Sequence, residues 1–515
     1  MVNSLSLCGG GCYICVPLLA GSISEMLREM RIAHSKGADM VEFRLDHLTE
    51  FEPQADIPIL LQEKQLPAII TCRPVWEGGK YNGDDDDRIS ALALAAELGA
   101  DFVDIEMQKA SELISALQKP SRAKVIVSHH NFDCTPSSEE LGCLVSKMQS
   151  TGADIIKVVT TARSITDVIH VFQVLGRSQA PTIALAMGQQ GLISRLLTPK
   201  FGGFLTFGSM ASGRESAPGQ PTIEELQDIY RLPRVGRETE VFGIIGQLVG
   251  YSKSPLIHNR FFQEIGYDGL YVPFLVHNFK VFFGAFHPLN FTGFSISIPY
   301  KEVALECCDE VESFAKAIGA VNTVVRRRSD GKFIGYNTDC EAAVGAIEDG
   351  LGGVNDGVSP LFNKLVVVIG AGGAAKAIAF GAKQRGAHPL IANRHYEDRA
   401  QKLAEAVGGT AITLDQLYEL QPSPGSVLAN TTPIGMFPNE NETPMPKSVL
   451  KHYSLVFDVV YTPKVTRLLT EAEELGLCVV SGFEMFIRQA IEQFSLFVAK
   501  PVPKQQLREV MLNVM

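Results

Sequence analysis

The chain has 515 residues, enough for two to four domains with ample core. With 46% hydrophobic and 20% charged residues it reads as an ordinary folded protein, and its net charge of −11 argues against a general nucleic-acid-binding surface. Ten cysteines without framework spacing fit free thiols in a reducing compartment, and no stretch is long and apolar enough to span a membrane.

Cys8, Cys12 and Cys15 have a spacing that can hold an iron–sulfur cluster. Tyr13–Leu18 reads instead as a strand entering a core, no companion cofactor motif follows, and no metal site is expected. The start carries no transit or secretory signal, so the expected setting is soluble and cytoplasmic as written. The chloroplast stroma becomes the expectation if the precursor begins further upstream.

Residues 13 to 231 repeat a strand-then-helix pattern. The predicted strands are Tyr13–Leu19, Met40–Asp46, Ala68–Arg73, Phe102–Met107, Lys124–His129, Asp154–Thr160, Pro181–Met187 and Phe204–Phe207. Helices are predicted between them, for example over Asp87–Leu98 and Ser137–Gln149. Eight such units imply an α/β fold of the (β/α)8 barrel type.

Polar residues recur where barrel enzymes build their sites, at the C-terminal ends of the strands. Glu42 and Arg44 are on strand two, Arg73 ends strand three, Glu106 ends strand four, and His130 follows strand five. Arg195 follows strand seven, with Ser216 and Gln220 after strand eight. Lys157, in the apolar run Ile155-Ile156-Lys157-Val158-Val159, is the most telling. Burial disfavours an ammonium, and a neutral amine attacks ketones to give a Schiff base.

The segment 232–240 is charged, contains Pro233 and Gly236, and reads as a linker. A second α/β region follows. Leu365–Ile369, then Gly370-Ala371-Gly372-Gly373-Ala374, gives strand, glycine turn and helix. This is a dinucleotide fingerprint of altered spacing, made for a pyrophosphate at a helix N-terminus. The strand His388–Ala392 ends in Asn393-Arg394. An arginine where a carboxylate would bind a ribose hydroxyl suits a 2′-phosphate, so NADP(H) is expected over NAD. Arg399 and Thr431 complete the expected cofactor contacts.

The barrel motifs Val41–Asp46, Thr71-Cys72-Arg73-Pro74, Val127–Asn131, Ile155-Ile156-Lys157 and Ser216–Gln220 closely resemble type I 3-dehydroquinate dehydratase. Ser252–Pro255, Ile298–Lys301, Gly319–Thr323, Asn337-Thr338-Asp339 and Gly482–Phe486 resemble shikimate dehydrogenase. Their order resembles the plant-type bifunctional enzymes over nearly the whole chain after about residue 13. The resemblance implies a barrel over 13–231, a shikimate-binding domain from 241–340 and 485–515, and a Rossmann-like NADP domain over 341–484.

It also implies roles. Lys157 condenses with the ketone of 3-dehydroquinate. His130, preferred over His129, removes a proton and later protonates the leaving hydroxyl, working near its natural pKa. Glu106 orients His130, Arg195 and Gln220 hold the substrate, and Glu42, Arg44, Arg73 and Ser216 position the rest. In the second half Lys301 and Asp339 form the acid–base pair that turns 3-dehydroshikimate into shikimate. Ser252 and Ser254 bind the carboxylate, Ser297 lies beside the substrate, and Asn322, Tyr461 and Gln489 bind ring hydroxyls. The expected partners are these small molecules, with no nucleic acid, no membrane and a monomeric chain.

The chain departs from the family pattern at several places. Ser297 stands where threonine is usual, Tyr300 where histidine is common, Cys340 where tyrosine often follows the aspartate, and Gln190 where the barrel lid has arginine. His395 replaces a threonine, and the 393–399 loop is one residue longer. These changes leave quinate oxidation, or oxidation of 3-dehydroshikimate toward gallate, as alternatives, and a metabolite-binding paralogue as a third. Ser254, not glycine, argues against a dedicated quinate enzyme.

Overall fold

All eight predicted strands of the first half form, each within two residues of its expected ends. A computed structural model describes residues 11–117 and 122–514. The strands are β1 (Tyr13–Leu18), β2 (Met40–Arg44), β3 (Ala68–Thr71), β4 (Phe102–Glu106), β5 (Lys124–His130), β6 (Ile155–Thr161), β7 (Thr182–Met187) and β8 (Leu205–Phe207). They pair in parallel in the order β7-β6-β5-β4-β3-β2-β1-β8. The two end strands approach where the Phe204 N–H donates to the Thr182 carbonyl (2.8 Å), which brings the sheet round into a barrel. Cys15, Met40, Ile69, Phe102, Ile126 and Ile155 fill one part of its interior with apolar side chains. Cys15 is thus a core residue of β1, while Cys8 lies outside the described residues.

The helices follow from local chemistry. Ser137 caps Ser138–Ser150 with a reciprocal Glu140 bond. The predicted helix at Asp87 begins earlier, at Asp85, because the Asp84 carboxylate accepts the Asp86 N–H (2.7 Å) and three more aspartates sit at the positive end of the helix.

The chain divides into two compact units. One runs to Gly243 and includes Leu248–Leu289, and the other holds Ile244–Gln247 and the chain from Asn290. Within the predicted linker, Leu232–Arg234 forms a 3-10 turn before the next strand. That strand is β9 (Glu240–Gly246), followed by β10 (Gly269–Leu275), β11 (Gly293–Ile296), β12 (Glu310–Val311), β13 (Thr323–Arg326) and β14 (Phe333–Tyr336). Their order is β10-β9-β11-β13-β14-β12.

The last sheet lies wholly in the second unit. Its strands are β15 (Leu365–Ile369), β16 (His388–Ala392), β17 (Thr410–Ile412), β18 (Val427–Asn430), β19 (Leu455–Asp458) and β20 (Cys478–Ser481). They run parallel in the order β17-β16-β15-β18-β19-β20. Alternate residues serve two cores: Val366, Val368 and Val427 on one face, Val367, Leu428 and Val456 on the other. The chain leaves β15 toward one edge and returns at β18 toward the other. The crevice at their C-terminal ends is where such sheets bind ligands. Among the described residues no helix is long and apolar enough to cross a membrane.

Candidate active sites

The barrel register gathers the polar residues of neighbouring strands. Thr71 pairs with Asp104, Glu106 with Ser128, and Ser128 with Lys157. Lys157 is 4% exposed, so the burial expected from its apolar flanks is present. Its solitude is not. Nζ donates to Asp104 Oδ2 (2.8 Å) and lies 3.3 Å from Glu42 Oε1. The Phe207 ring lies beneath it, 4.8 Å away.

Arg73 braces the opposite side of these acids. Its Nη1 donates to Glu106 (2.6 Å) and Ser128 (2.7 Å), and Nη2 to Asp104 (2.7 Å). Arg73, Lys157 and the Ser128 hydroxyl hold the Asp104 carboxyl far below the usual range against the effect of burial. Arg44 is clamped to Asp46 by two bonds (2.9 and 2.8 Å).

The expectation that Glu106 orients His130 needs correction. Both Glu106 oxygens are engaged by arginines: Oε1 by Arg73, and Oε2 by Arg88 (2.5 Å). Glu77 is the carboxylate at the histidine. Its Oε1 accepts the His130 backbone N–H (2.7 Å) and lies 3.1 Å from Nδ1. Burial lifts the Glu77 carboxyl to about 7, opposed by the Arg73 charge. His130 also departs from expectation. Burial first, then the cations Arg73 and Lys157, push the imidazole well below its ordinary value, favouring the neutral base. Phe132 stacks beside it (6.0 Å).

The mouth holds unsatisfied donors. Arg195 Nε and Gln220 Nε2 are buried without a hydrogen-bond partner, while Gln220 Oε1 accepts the Ser216 N–H (2.9 Å). Burial alone lowers the Arg195 guanidinium to about 10. Buried donors left open in this way call for an anionic, hydroxylated ligand.

In the second unit Lys301 Nζ donates to Asp339 Oδ2 (2.5 Å). Asp339 is the first residue of the helix Asp339–Gly350, whose positive end favours a carboxylate. The Asn322 amide brackets the preceding residue: Nδ2 donates to Thr338 Oγ1 (2.9 Å), and Oδ1 accepts the Thr338 N–H (2.9 Å). Thr338 Oγ1 reaches the Gln489 carbonyl (3.3 Å). Asn322 thus positions the helix start. Tyr461 stacks on Phe486 (4.2 Å), and the Ser297 N–H donates to the Ile245 carbonyl (2.8 Å). Ser252 and Ser254 belong to the first unit, where Ser254 N donates to Ser252 Oγ (3.2 Å) at the start of the helix Ser254–Glu264.

The glycine turn ends β15 as predicted. Gly370 has φ +120°, and a Cβ there would lie 2.2 Å from Thr431 Oγ1, so the turn and the Thr431 loop need glycine to meet. A Cβ on Gly373 would press on Lys301 at 2.9 Å, which seats the turn against this lysine. A Cβ on Gly372 would meet nothing within 4 Å, leaving the start of the helix Gly373–Gln384 open for a pyrophosphate. Arg394 and Arg399 are exposed, and the Asn393 side chain accepts the His395 N–H (2.8 Å) to shape their loop.

The type I 3-dehydroquinase family matches residues 14–236, and the shikimate dehydrogenase substrate-binding domain matches 244–324. A bifunctional 3-dehydroquinate dehydratase/shikimate dehydrogenase, chloroplastic, of Arabidopsis thaliana is 53% identical over 506 residues, covering 97% of this chain and 84% of the relative. The chain belongs to this bifunctional family. An NADP(+) shikimate dehydrogenase of Methanopyrus kandleri is 38% identical over 290 residues, 54% of this chain and 97% of its own length. A shikimate dehydrogenase crystallised with NADP+ aligns with a TM-score of 0.47 at 32% identity, covering 54% of this chain and 96% of its own.

Two residues of the family's barrel half escaped the sequence reading. Asp104 lies two before Glu106 on β4, and strand alternation puts the two on one face. That spacing was a usable signal. Glu77 sits in the short turn Val75–Glu77, where no periodicity marks it.

Proposed function

We propose that the barrel dehydrates 3-dehydroquinate to 3-dehydroshikimate through a Schiff base on Lys157, and that the second half reduces this product to shikimate with NADPH. The observation that carries the first step is a buried lysine within reach of two carboxylates, alongside a Glu77-anchored imidazole and the open donors of Arg195 and Gln220. Lys157 condenses with the ketone: two of its ammonium protons leave with the carbonyl oxygen as water, and a charged iminium remains. His130 Nε2 takes the proton beside the iminium carbon while Glu77 holds Nδ1. The protonated imidazole then returns that proton to the departing hydroxyl, and hydrolysis frees Lys157. Arg195 meets the substrate carboxylate, and Gln220 a hydroxyl.

In the second half Lys301 donates a proton to the carbonyl oxygen as it is reduced, and Asp339 keeps the lysine aimed. The cofactor, when bound, supplies the hydride. Gly370, Gly372 and the start of the helix Gly373–Gln384 fit its pyrophosphate, with Ala371, Ala374 and Thr431 alongside. Arg394 and Arg399 fit a 2′-phosphate, with Asn393 holding their loop. Within the second unit, Tyr461 and Gln489 receive the ring hydroxyls. Shikimate is the proposed substrate over quinate, because position 254 keeps serine and not the glycine of a dedicated quinate enzyme. The Arabidopsis relative is chloroplastic by name, and a stroma-like reducing compartment suits the free cysteines of this chain.

Borohydride reduction in the presence of dehydroquinate tests the central claim. Intact mass should rise by one ligand per chain in wild-type protein and stay unchanged in Lys157→Ala. Adduct formation in the variant would overturn the assignment. Turnover of shikimate, quinate and 3-dehydroshikimate, each with both nicotinamide cofactors, tests the second half.

A further inference from the structure

A cavity of about 290 Å³ lies apart from both catalytic sets, between the segment following the barrel and the helix Ser254–Glu264 with the turn beyond it. Its lining combines aromatic rings with arginines. Phe262 and Tyr267 stack at 5.4 Å, and Tyr230 joins them. Arg231 and Arg234 line the other side.

The local sequence explains the paired arginines. Arg231-Leu232-Pro233-Arg234 folds into a 3-10 turn closed by the Arg234 N–H on the Arg231 carbonyl (2.9 Å). The turn is short enough that both arginines line the cavity. Arg231 takes a left-handed backbone (φ 51°), a conformation that disfavours side chains, to reach this position. Arg260 is close enough for its charge, with that of Arg234, to depress the Arg231 guanidinium after burial has done so.

Like charges gathered in this way call for a counter-ion. Among the described residues none of the three has a carboxylate partner, and the bond recorded for Arg260 goes to the Gln263 amide oxygen (3.0 Å). The acid in the lining, Asp268, is committed elsewhere. Its Oδ1 accepts Thr239 Oγ1 (2.7 Å), which in turn accepts the Gly236 N–H (2.9 Å).

We propose that this cavity is a second ligand site, taking a small anion on an aromatic ring: the ring against Tyr267 and Tyr230, and the carboxylate or phosphate on Arg231 and Arg234. Bidentate guanidinium contacts recognise either oxyanion, and a cavity of this size suits a single ring. None of its residues belongs to the catalytic sets, so occupancy is independent of both reactions.

The test is calorimetric titration of the full chain with phenyl phosphate and with benzoate, which separates the two oxyanions. Inorganic phosphate and phenol serve as ring-free and charge-free controls. Shikimate is kept saturating, and a parallel series uses Lys157→Ala protein saturated with dehydroquinate, so that both catalytic pockets are filled. At least one aryl anion should bind at one site per chain, more tightly than either control. Arg234→Ala and Arg231→Gly should each weaken it roughly tenfold; glycine suits the left-handed backbone and spares the turn. Both variants should retain dehydratase and dehydrogenase activity, which certifies their fold. Absence of binding at about 10 mM of both aryl anions, equal affinity in the variants, or loss of binding once the catalytic pockets are filled would overturn the proposal.

Discussion

Each half of this protein holds a lysine hydrogen-bonded to a carboxylate, and the surroundings of the two pairs differ. Lys157 lies inside the barrel on a strand, with Asp104 and Glu42 both in reach and an arginine bracing the acids from behind. Two carboxylates in reach hold and aim its amine inside the barrel. Lys301 lies outside regular strands, is more exposed, and faces Asp339 at the start of a helix. A single carboxylate at the start of a helix aims this lysine. The same two residue types thus meet two different surroundings, which the proposed reactions use for a nucleophile in one half and an acid in the other. What differs is the number of acceptors and the depth of burial.

The sharpest way to break this contrast is to disable one lysine site at a time. Lys157→Ala should abolish dehydration and leave shikimate oxidation unchanged. Asp339→Asn should lower shikimate oxidation by about 10²–10⁴-fold and spare dehydration. A folded variant losing both activities would show that the halves are not separate engines.

The acids around Lys157 and His130 can be sorted by a smaller effect. Glu77→Gln should reduce dehydratase kcat by about 10²-fold, with little change in KM, because it acts on the imidazole rather than on the substrate. The Glu77 carboxyl titrates near 7, so it is ionised above that pH and protonated below. Wild-type dehydratase should therefore lose rate as pH falls through about 7, and the glutamine variant should lack that limb. An unchanged acid limb in Glu77→Gln would remove it from the mechanism.

On the cofactor side, Arg394→Ala should raise KM for NADP+ by roughly tenfold and leave KM for NAD+ nearly unchanged. Equal effects on both would count against a 2′-phosphate contact. The smallest signal concerns Trp76, which is 46% exposed in the turn that carries Glu77. Its emission should change when dehydroquinate fills the barrel of Lys157→Ala protein and stay constant with shikimate. Constant emission at saturating dehydroquinate would mean that this turn does not close on the ligand.

Much of this was legible in the chain itself. Strand–helix alternation, uniformly apolar strands and polar residues at their ends specify a barrel, because strand length and two-sided burial are local properties of sequence. Lys157 and the glycine turn could be singled out for the same reason, each being chemically expensive or conformationally special in a readable context, while Lys301 and Asp339 came from the motif resemblance. Tertiary structure alone decided which acid serves which base. Glu106 and Glu77 lie within a few dozen residues of each other, yet Arg73 and Arg88 claim one and His130 the other. Those choices are made across neighbouring strands and an irregular turn, by distances of about 3 Å that no spacing along the chain encodes. The neighbours of Lys157 were hidden likewise, since Glu42 and Asp104 reach it from other strands of the barrel. Sequence determined which residues were available for chemistry, and the closure of the barrel determined how they are paired.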